Sequence, residues 1–210
     1  VAAYARAMGL DRSVWARAAI FLWRAAHLDL GTDPVSGRAA ADLVRDVLPA
    51  TLALTGAALL LALAAALPAA LLAARRPGGL AERLVLALAP LAALPSFIVA
   101  LLILLAATRL FGRVPVLGGG DLRHLVLPAA SLGLGWFGTI ALLLRGALHD
   151  ILAAPAMRTL RAQGMAEGRI LAGPALRATA GPVLAVLGVG VGQMLSGAVF
   201  VEAIFGRPGL

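Results

Sequence analysis

Lysine, asparagine and cysteine are absent from this chain of 210 residues. Without lysine, the chain has no phosphate-loop lysine for nucleotide hydrolysis and no amine that could form a Schiff base with a cofactor. Without cysteine, it has no disulfide, no thiolate nucleophile and no cysteine-ligated zinc or iron–sulfur cluster. Charge is also scarce, because charged residues make up 13% of the chain and roughly 25% of a typical soluble domain.

Apolar residues, in contrast, make up 61% of the chain, and the mean hydropathy is +0.96. This leaves too little polar surface to cover a soluble globule, so much of the surface is expected to face lipid. The formal net charge of +8 comes entirely from arginine. Because the arginines lie between apolar runs and aromatic residues are only 5%, we expect no nucleic-acid binding.

Four runs contain no Asp, Glu, Lys or Arg and are long enough to cross a bilayer, which takes about 20 helical residues. They are residues 47–74, 84–108, 125–144 and 178–201. Continuous apolar runs in lipid favour helices, which satisfy their own backbone hydrogen bonds. The sequence therefore predicts an all-α, polytopic transmembrane helical bundle with four spans; a soluble helical bundle is the less favoured alternative. Prolines inside or near the runs predict kinks: Pro68, Pro90, Pro95 and Pro182.

Residues 1–46 have a different composition, with five of the ten acidic residues and six arginines. Their short apolar stretch around Trp15 and residues 20–23 is interrupted by Arg17 and Arg24, so it predicts an interfacial amphipathic helix rather than a span. The density of arginine is higher in residues 75–83 and 145–177 than elsewhere. This bias weakly favours a cytoplasmic position for those two segments.

No pattern of residues supports an enzyme, a metal site or a cofactor site. Residues 133–138 match the dinucleotide-binding pattern G-x-G-x-x-G, but they lie in the middle of an uncharged run instead of between a strand and a helix. We therefore expect these glycines to serve close helix packing. His27, His124 and His149 lack helix-spaced partners for a metal, and Glu202 borders a span without a second intramembrane carboxylate.

The most informative segment is the loop of residues 149–177, which reads as helix, glycine, helix. Apolar and arginine residues alternate around Leu160, and Gly164 suits the left-handed conformation that ends a helix. A second helix is expected from about Ala166 to Leu176. The residues alone leave open whether this is a short helix with one polar face or an ordinary basic loop.

Residues 158–164, R-T-L-R-A-Q-G, resemble the R-T-A-R-A-K-G form of the EAA loop in the membrane subunits of dipeptide, oligopeptide and nickel ABC importers. Further blocks resemble that family in the same order: L-D-L-G-T at 28–32, L-P-A-T-L at 48–52, L-P-S-F at 94–97, and the end of the chain from Val201. The pair L-P-A-T-L and L-P-S-F resembles the B-type subunit rather than its C-type partner.

This resemblance implies a multi-pass inner-membrane subunit that forms half of a translocation pathway for peptides or related small solutes. It implies four kinds of partner: a C-type permease subunit, cytoplasmic ATP-binding subunits, an extracytoplasmic substrate-binding protein and the lipid bilayer. ATP hydrolysis would take place on a partner chain, and no cofactor is implied. Residues 1–46 would be extracytoplasmic, and residues 47–210 would form the permease domain with a cytoplasmic coupling loop at 145–177.

Within that loop the resemblance assigns ATPase coupling to ten residues, with Arg158, Arg161 and Arg169 facing the ATPase. The ten are Met157, Arg158, Thr159, Leu160, Arg161, Ala162, Gln163, Gly164, Glu167 and Arg169. Members of the family usually have about six spans, whereas four are visible here. The alternative is therefore a truncated or degenerate permease remnant, or a membrane scaffold without transport activity.

Overall fold

The computed structural model describes residues 13–27, 29–112, 122–207 and 209. The chain divides into two compact units, one up to Pro49 and one over Ala50–Gly209. The described residues contain helices and one isolated antiparallel bridge, between Thr32 and Ala39, but no strand. The predicted all-α class is confirmed.

The first unit contains helix α1, Val14–Ala26, and the start of the long helix α2, Ala40–Arg75. The Ser13 hydroxyl caps α1 by accepting a hydrogen bond from the Ala16 amide at 3.3 Å. No residue of α1 is buried, and Trp15 and Trp23 are 85% and 69% exposed. A turn then follows in which Asp33 accepts hydrogen bonds from the amide and hydroxyl of Ser36. A helix is therefore present where the sequence predicts one, and its position at the membrane interface stays a prediction.

The second unit is built from the remainder of α2 and from the helices after it. Their bounds are α2 Ala40–Arg75, α3 Leu80–Leu88, a 3₁₀ helix Ala89–Ala93, α4 Ser96–Phe111, α5 Leu122–Ala153, α6 Pro155–Ala162, α7 Glu167–Ile170, a π-helical turn Leu171–Ala175, α8 Leu176–Ala178 and α9 Ala180–Ile204. Helices α2, α5 and α9 are each long and apolar enough to cross a membrane. They correspond to the first, third and fourth predicted spans.

The second predicted span, residues 84–108, is not one straight helix. It is divided between α3 with its 3₁₀ extension and α4, which are bent by 119° relative to each other, so this second span is present only as a bent pair. Proline explains the break: Pro95 offers no amide hydrogen and holds Leu94 in an extended conformation, with ψ of 137°. The kink expected at Pro95 is thus a complete break.

Contacts within the second unit show which helix ends lie together. At one end, Glu82 of α3 pairs with Arg145 of α5. At the other end, the Thr51 hydroxyl donates a hydrogen bond to Glu202 Oε2 at 3.1 Å, joining α2 to the end of α9. Residues 75–83 and 145–177, the two arginine-dense segments, therefore share one end of the bundle.

Glycine allows the helices of this unit to approach closely. A Cβ added to Gly133 would lie 2.8 Å from the Ala58 carbonyl oxygen, and one added to Gly138 would lie 2.9 Å from Ala89 Cα. Both distances are shorter than side chains tolerate, so α5 contacts α2 and the 3₁₀ helix backbone to backbone. Two glycines of the G-x-G-x-x-G match, Gly133 and Gly138, thus serve close helix packing as expected, whereas a Cβ added to Gly135 would meet open space.

Candidate functional site: the coupling loop

The loop after α5 contains a short helix, α6, that is joined to α5 by a linker of one residue. Ala154 alone separates the last residue of α5 from Pro155, the first residue of α6. Ala154 is extended, with φ of −65° and ψ of 148°, and proline suits the first helical position because its missing amide hydrogen has no partner there. The chain therefore turns sharply at one residue and starts a helix at the next.

The C-terminus of α6 is closed by a glycine-dependent motif. Gly164 has φ of 81°, and its amide donates a hydrogen bond to the Arg161 carbonyl at 3.0 Å. The Met165 amide donates to the Leu160 carbonyl at 3.1 Å. These two bonds form a Schellman motif, in which the left-handed residue is usually glycine. Gly164 ends the helix as the sequence predicted.

One face of α6 is anchored to the helix bundle. Met157 is 7% exposed and belongs to an apolar cluster with Leu148 of α5 and Ile170 of α7, while Leu160 is partly buried against the same cluster. Ala70 of α2 belongs to the same buried cluster. The loop is thereby packed against α2 and α5 at once.

Arg161 fastens the loop internally. Its Nε and Nη2 donate to the two carboxylate oxygens of Glu167 at 2.9 and 2.7 Å, and its Nη1 donates to the Leu152 carbonyl at 3.0 Å. The bidentate bond to Arg161 lowers the pKa of the Glu167 carboxyl and raises that of the guanidinium. One side chain thus joins the end of α5, α6 and α7.

The ten residues assigned by resemblance separate into two groups. Met157, Leu160, Arg161, Gly164 and Glu167 hold the loop in shape through the contacts above. The remaining five are exposed and lie on α6, just after it, or on α7: Arg158, Thr159, Ala162, Gln163 and Arg169. Within the described part of the chain, neither Arg158 nor Arg169 forms an ion pair. Their charges are therefore available to another molecule, whereas the guanidinium of Arg161 is already engaged.

The second helix of the loop differs from its expected form. Instead of a regular helix over Ala166–Leu176, α7 covers one turn and widens into a π-helical turn at Leu171–Ala175, before α8. Pro174 lies within this turn, and its missing amide hydrogen prevents a regular α-helical ladder there. Sequence reasoning also missed the pair Glu82–Arg145. Its one visible signal was a single acid in an arginine-rich segment.

A bundle of apolar helices, three of them long and apolar enough to cross a membrane, with a short polar-faced helix packed at one end, is the architecture of an integral membrane protein. The chain belongs to the family of binding-protein-dependent transport system inner membrane components, whose profile matches residues 66–210. It is a multi-pass protein of the inner membrane and a transmembrane subunit of an importer. The resemblance seen in the sequence is confirmed.

Two similar proteins support this assignment. The glutathione transport system permease protein GsiC of Escherichia coli O6:H1 is 29% identical over 204 residues, which cover 97% of this chain and 67% of that protein. The oligopeptide transport system permease protein OppB of Escherichia coli strain K12 is 30% identical over 194 residues, covering 90% of this chain and 63% of that protein. The chain spans about two thirds of the length of these relatives.

Proposed function

We propose that this chain is the B-type membrane subunit of an ATP-driven importer for peptides or related small solutes, and that α6 couples it to a separate ATPase. The geometry of α6 is the observation that carries this proposal. Its buried face is fixed to α2 and α5, its other face is exposed, and one residue links it to α5. A push on the exposed face therefore reaches the long helices without being absorbed by a flexible linker.

The substrate class follows from the two relatives, which are components of glutathione and oligopeptide transport systems. Both names describe peptides, and this chain aligns with each relative over at least 90% of its own length. Hydrolysis of ATP is assigned to partner subunits, and this chain acts as a non-catalytic pathway subunit beside a C-type permease subunit.

The arrangement of helix ends supports an orientation. The end that carries Glu82, Arg145 and the coupling loop is proposed to be cytoplasmic, because it combines the arginine-dense segments with the docking helix. The end that carries Thr51 and Glu202 is then extracytoplasmic. Residues 1–46 are proposed to be extracytoplasmic as well, because the family resemblance implies it and because a substrate-binding protein would deliver its cargo on that side of the membrane.

The test is assembly and uptake with the partner subunits in lipid nanodiscs and proteoliposomes. Arg158→Glu reverses an exposed charge on α6 and should weaken ATPase binding about tenfold, a loss of about 1.4 kcal/mol. Arg76→Glu is the matched control, because Arg76 is exposed in the loop between α2 and α3 and lies outside α6. Unchanged ATPase binding and uptake in Arg158→Glu, or an equal loss in Arg76→Glu, would contradict the coupling role of α6.

A further inference from the structure

The ion pair between Glu82 and Arg145 joins two helices near the coupling loop. Glu82 is 8% exposed, and its Oε1 accepts hydrogen bonds from both Nε and Nη2 of Arg145, the former at 2.8 Å. Its Oε2 accepts from the Gly78 amide, so both carboxylate oxygens are engaged. An arginine held through two nitrogens has a fixed direction as well as a charge.

Arg145 is rigidly connected to the coupling helix. It lies on α5 eight residues before Ala153, about 12 Å along the helix axis. Between the two, Leu148 is fully buried in the cluster that also holds Met157 of α6. A displacement of α6 therefore displaces Arg145.

Glu82 lies at the start of the bent pair and is the first buried residue of α3. In α3 only Glu82 and Val85 are buried, and a turn containing Gly78, with φ of 77°, precedes the helix. One helical turn further on, Val85 is fully buried in a cluster with Phe137, Ile140 and Ala141 of α5. Beyond it, Gly138 meets the backbone at Leu88 and Ala89. The ion pair is thus one of three attachments to α5, and together they fix both the position and the direction of α3.

We propose that the Glu82–Arg145 pair is a strut that transmits movement of the coupling loop from α5 to the bent pair α3–α4. The proposal rests on the coupling role proposed above for α6. Glu82 and Arg145 are positioning residues: they contact neither substrate nor nucleotide. They make α3 move together with α5, so that movement driven by ATP hydrolysis also reaches the bent pair α3–α4. Loss of the strut leaves the ATPase able to dock and hydrolyse ATP while less solute is moved per ATP.

The absence of cysteine from this chain provides a direct test. The permease carrying Glu82→Cys and Arg145→Cys is assembled with its partner subunits in proteoliposomes. Peptide uptake and ATP hydrolysis are measured before and after bridging with a short bis-methanethiosulfonate reagent. Before bridging, uptake per ATP should fall about tenfold, within the usual range of coupling between sites. Bridging should restore it, because a strut needs only to hold its two ends together.

The single variants Glu82→Gln and Arg145→Met should reproduce the loss. Gln keeps an oxygen for the Gly78 amide, so only the ion pair is removed. Arg83→Gln is the matched control, since Arg83 is exposed on the same helix turn, and the parent complex treated with the reagent controls for partner thiols. The strut is refuted if the single variants keep the parent ratio of uptake to hydrolysis, if ATPase binding falls in parallel with uptake, or if bridging fails to restore the ratio. Failure of the parent α6 to bind an ATPase would refute the proposed function instead.

Discussion

Gly164 gives the sharpest quantitative prediction for the coupling loop. Its φ of 81° lies in the left-handed region, and no heavy atom lies within 4 Å of where a Cβ would be. Substitution by alanine therefore creates no clash and no new contact. The cost is the backbone conformation alone, which makes this position unusually simple to interpret.

The expected magnitude follows from that conformation. A left-handed backbone costs an L-residue about 1–2 kcal/mol. If the strained end of α6 opens in the free permease and must re-form on docking, up to this free energy is subtracted from binding, and the Kd for the ATPase rises by up to about 5- to 30-fold in Gly164→Ala. Asparagine, which tolerates this region better, should cost less. Proline should cost most, because it fixes φ near −65° and removes the amide that bonds to the Arg161 carbonyl.

The assay is titration of the ATPase subunit onto the permease in nanodiscs, with the Kd measured for each variant. Gly168→Ala is the control: Gly168 is not in the left-handed region, and its added Cβ would lie 3.6 Å from Arg75 Nη2, an ordinary contact. The Kd should increase in the order parent, Gly164→Asn, Gly164→Ala, Gly164→Pro. Parent-like binding by Gly164→Ala and Gly164→Pro, or an equal loss in Gly168→Ala, would refute the reasoning.

Two further predictions concern stability. Because Arg161 lowers the pKa of Glu167, their pair contributes fully above the ordinary range of a carboxyl and loses its contribution as pH falls through the lowered pKa. Hydrogen exchange of the α6 amides, corrected for intrinsic rates, should therefore rise on acidification in the parent and show no such step in Glu167→Gln. Gly133→Ala should lower the thermal midpoint, since its Cβ would meet the Ala58 carbonyl and force α2 and α5 apart at about 1–3 kcal/mol. Gly135→Ala, with open space around its Cβ, should not; equal midpoints for the two would contradict the packing role.

Three of the four spans and the glycine-terminated helix α6 were predictable because each rests on a local signal. An uncharged run long enough to cross a bilayer marks α2, α5 and α9, and Gly164 marks the end of α6. Proline illustrates the limit of such signals. Pro128 lies inside the continuous helix α5 and Pro95 lies at a complete break. Whether a proline breaks a helix depends on whether neighbouring helices hold the chain straight. The local sequence does not specify those neighbours.

The side-chain contacts that hold the loop in place were not predictable for a related reason. The sequence places Arg158, Arg161 and Arg169 in one basic segment, and nothing in their spacing distinguishes them. Folding brings the Leu152 carbonyl and the Glu167 carboxylate within reach of Arg161 alone. Likewise Glu82 and Arg145 are 63 residues apart and meet only because two helix ends coincide. Contacts between distant side chains depend on tertiary geometry, whereas helices and caps depend on near neighbours.

The buried face of α2 has a mechanical consequence. From Ala58 to Ala73 every buried side chain on this helix is alanine: Ala58, Ala62, Ala66, Ala70 and Ala73. Alanine has no rotamers to rearrange, and residues four apart repeat almost the same contour along the axis. A surface of this kind can slide along a neighbouring helix with little loss of fit, whereas interlocked leucines would have to be lifted out of their pockets. Sliding of a neighbouring helix along α2 therefore disrupts the packing of the bundle less than sliding along a leucine-rich face would.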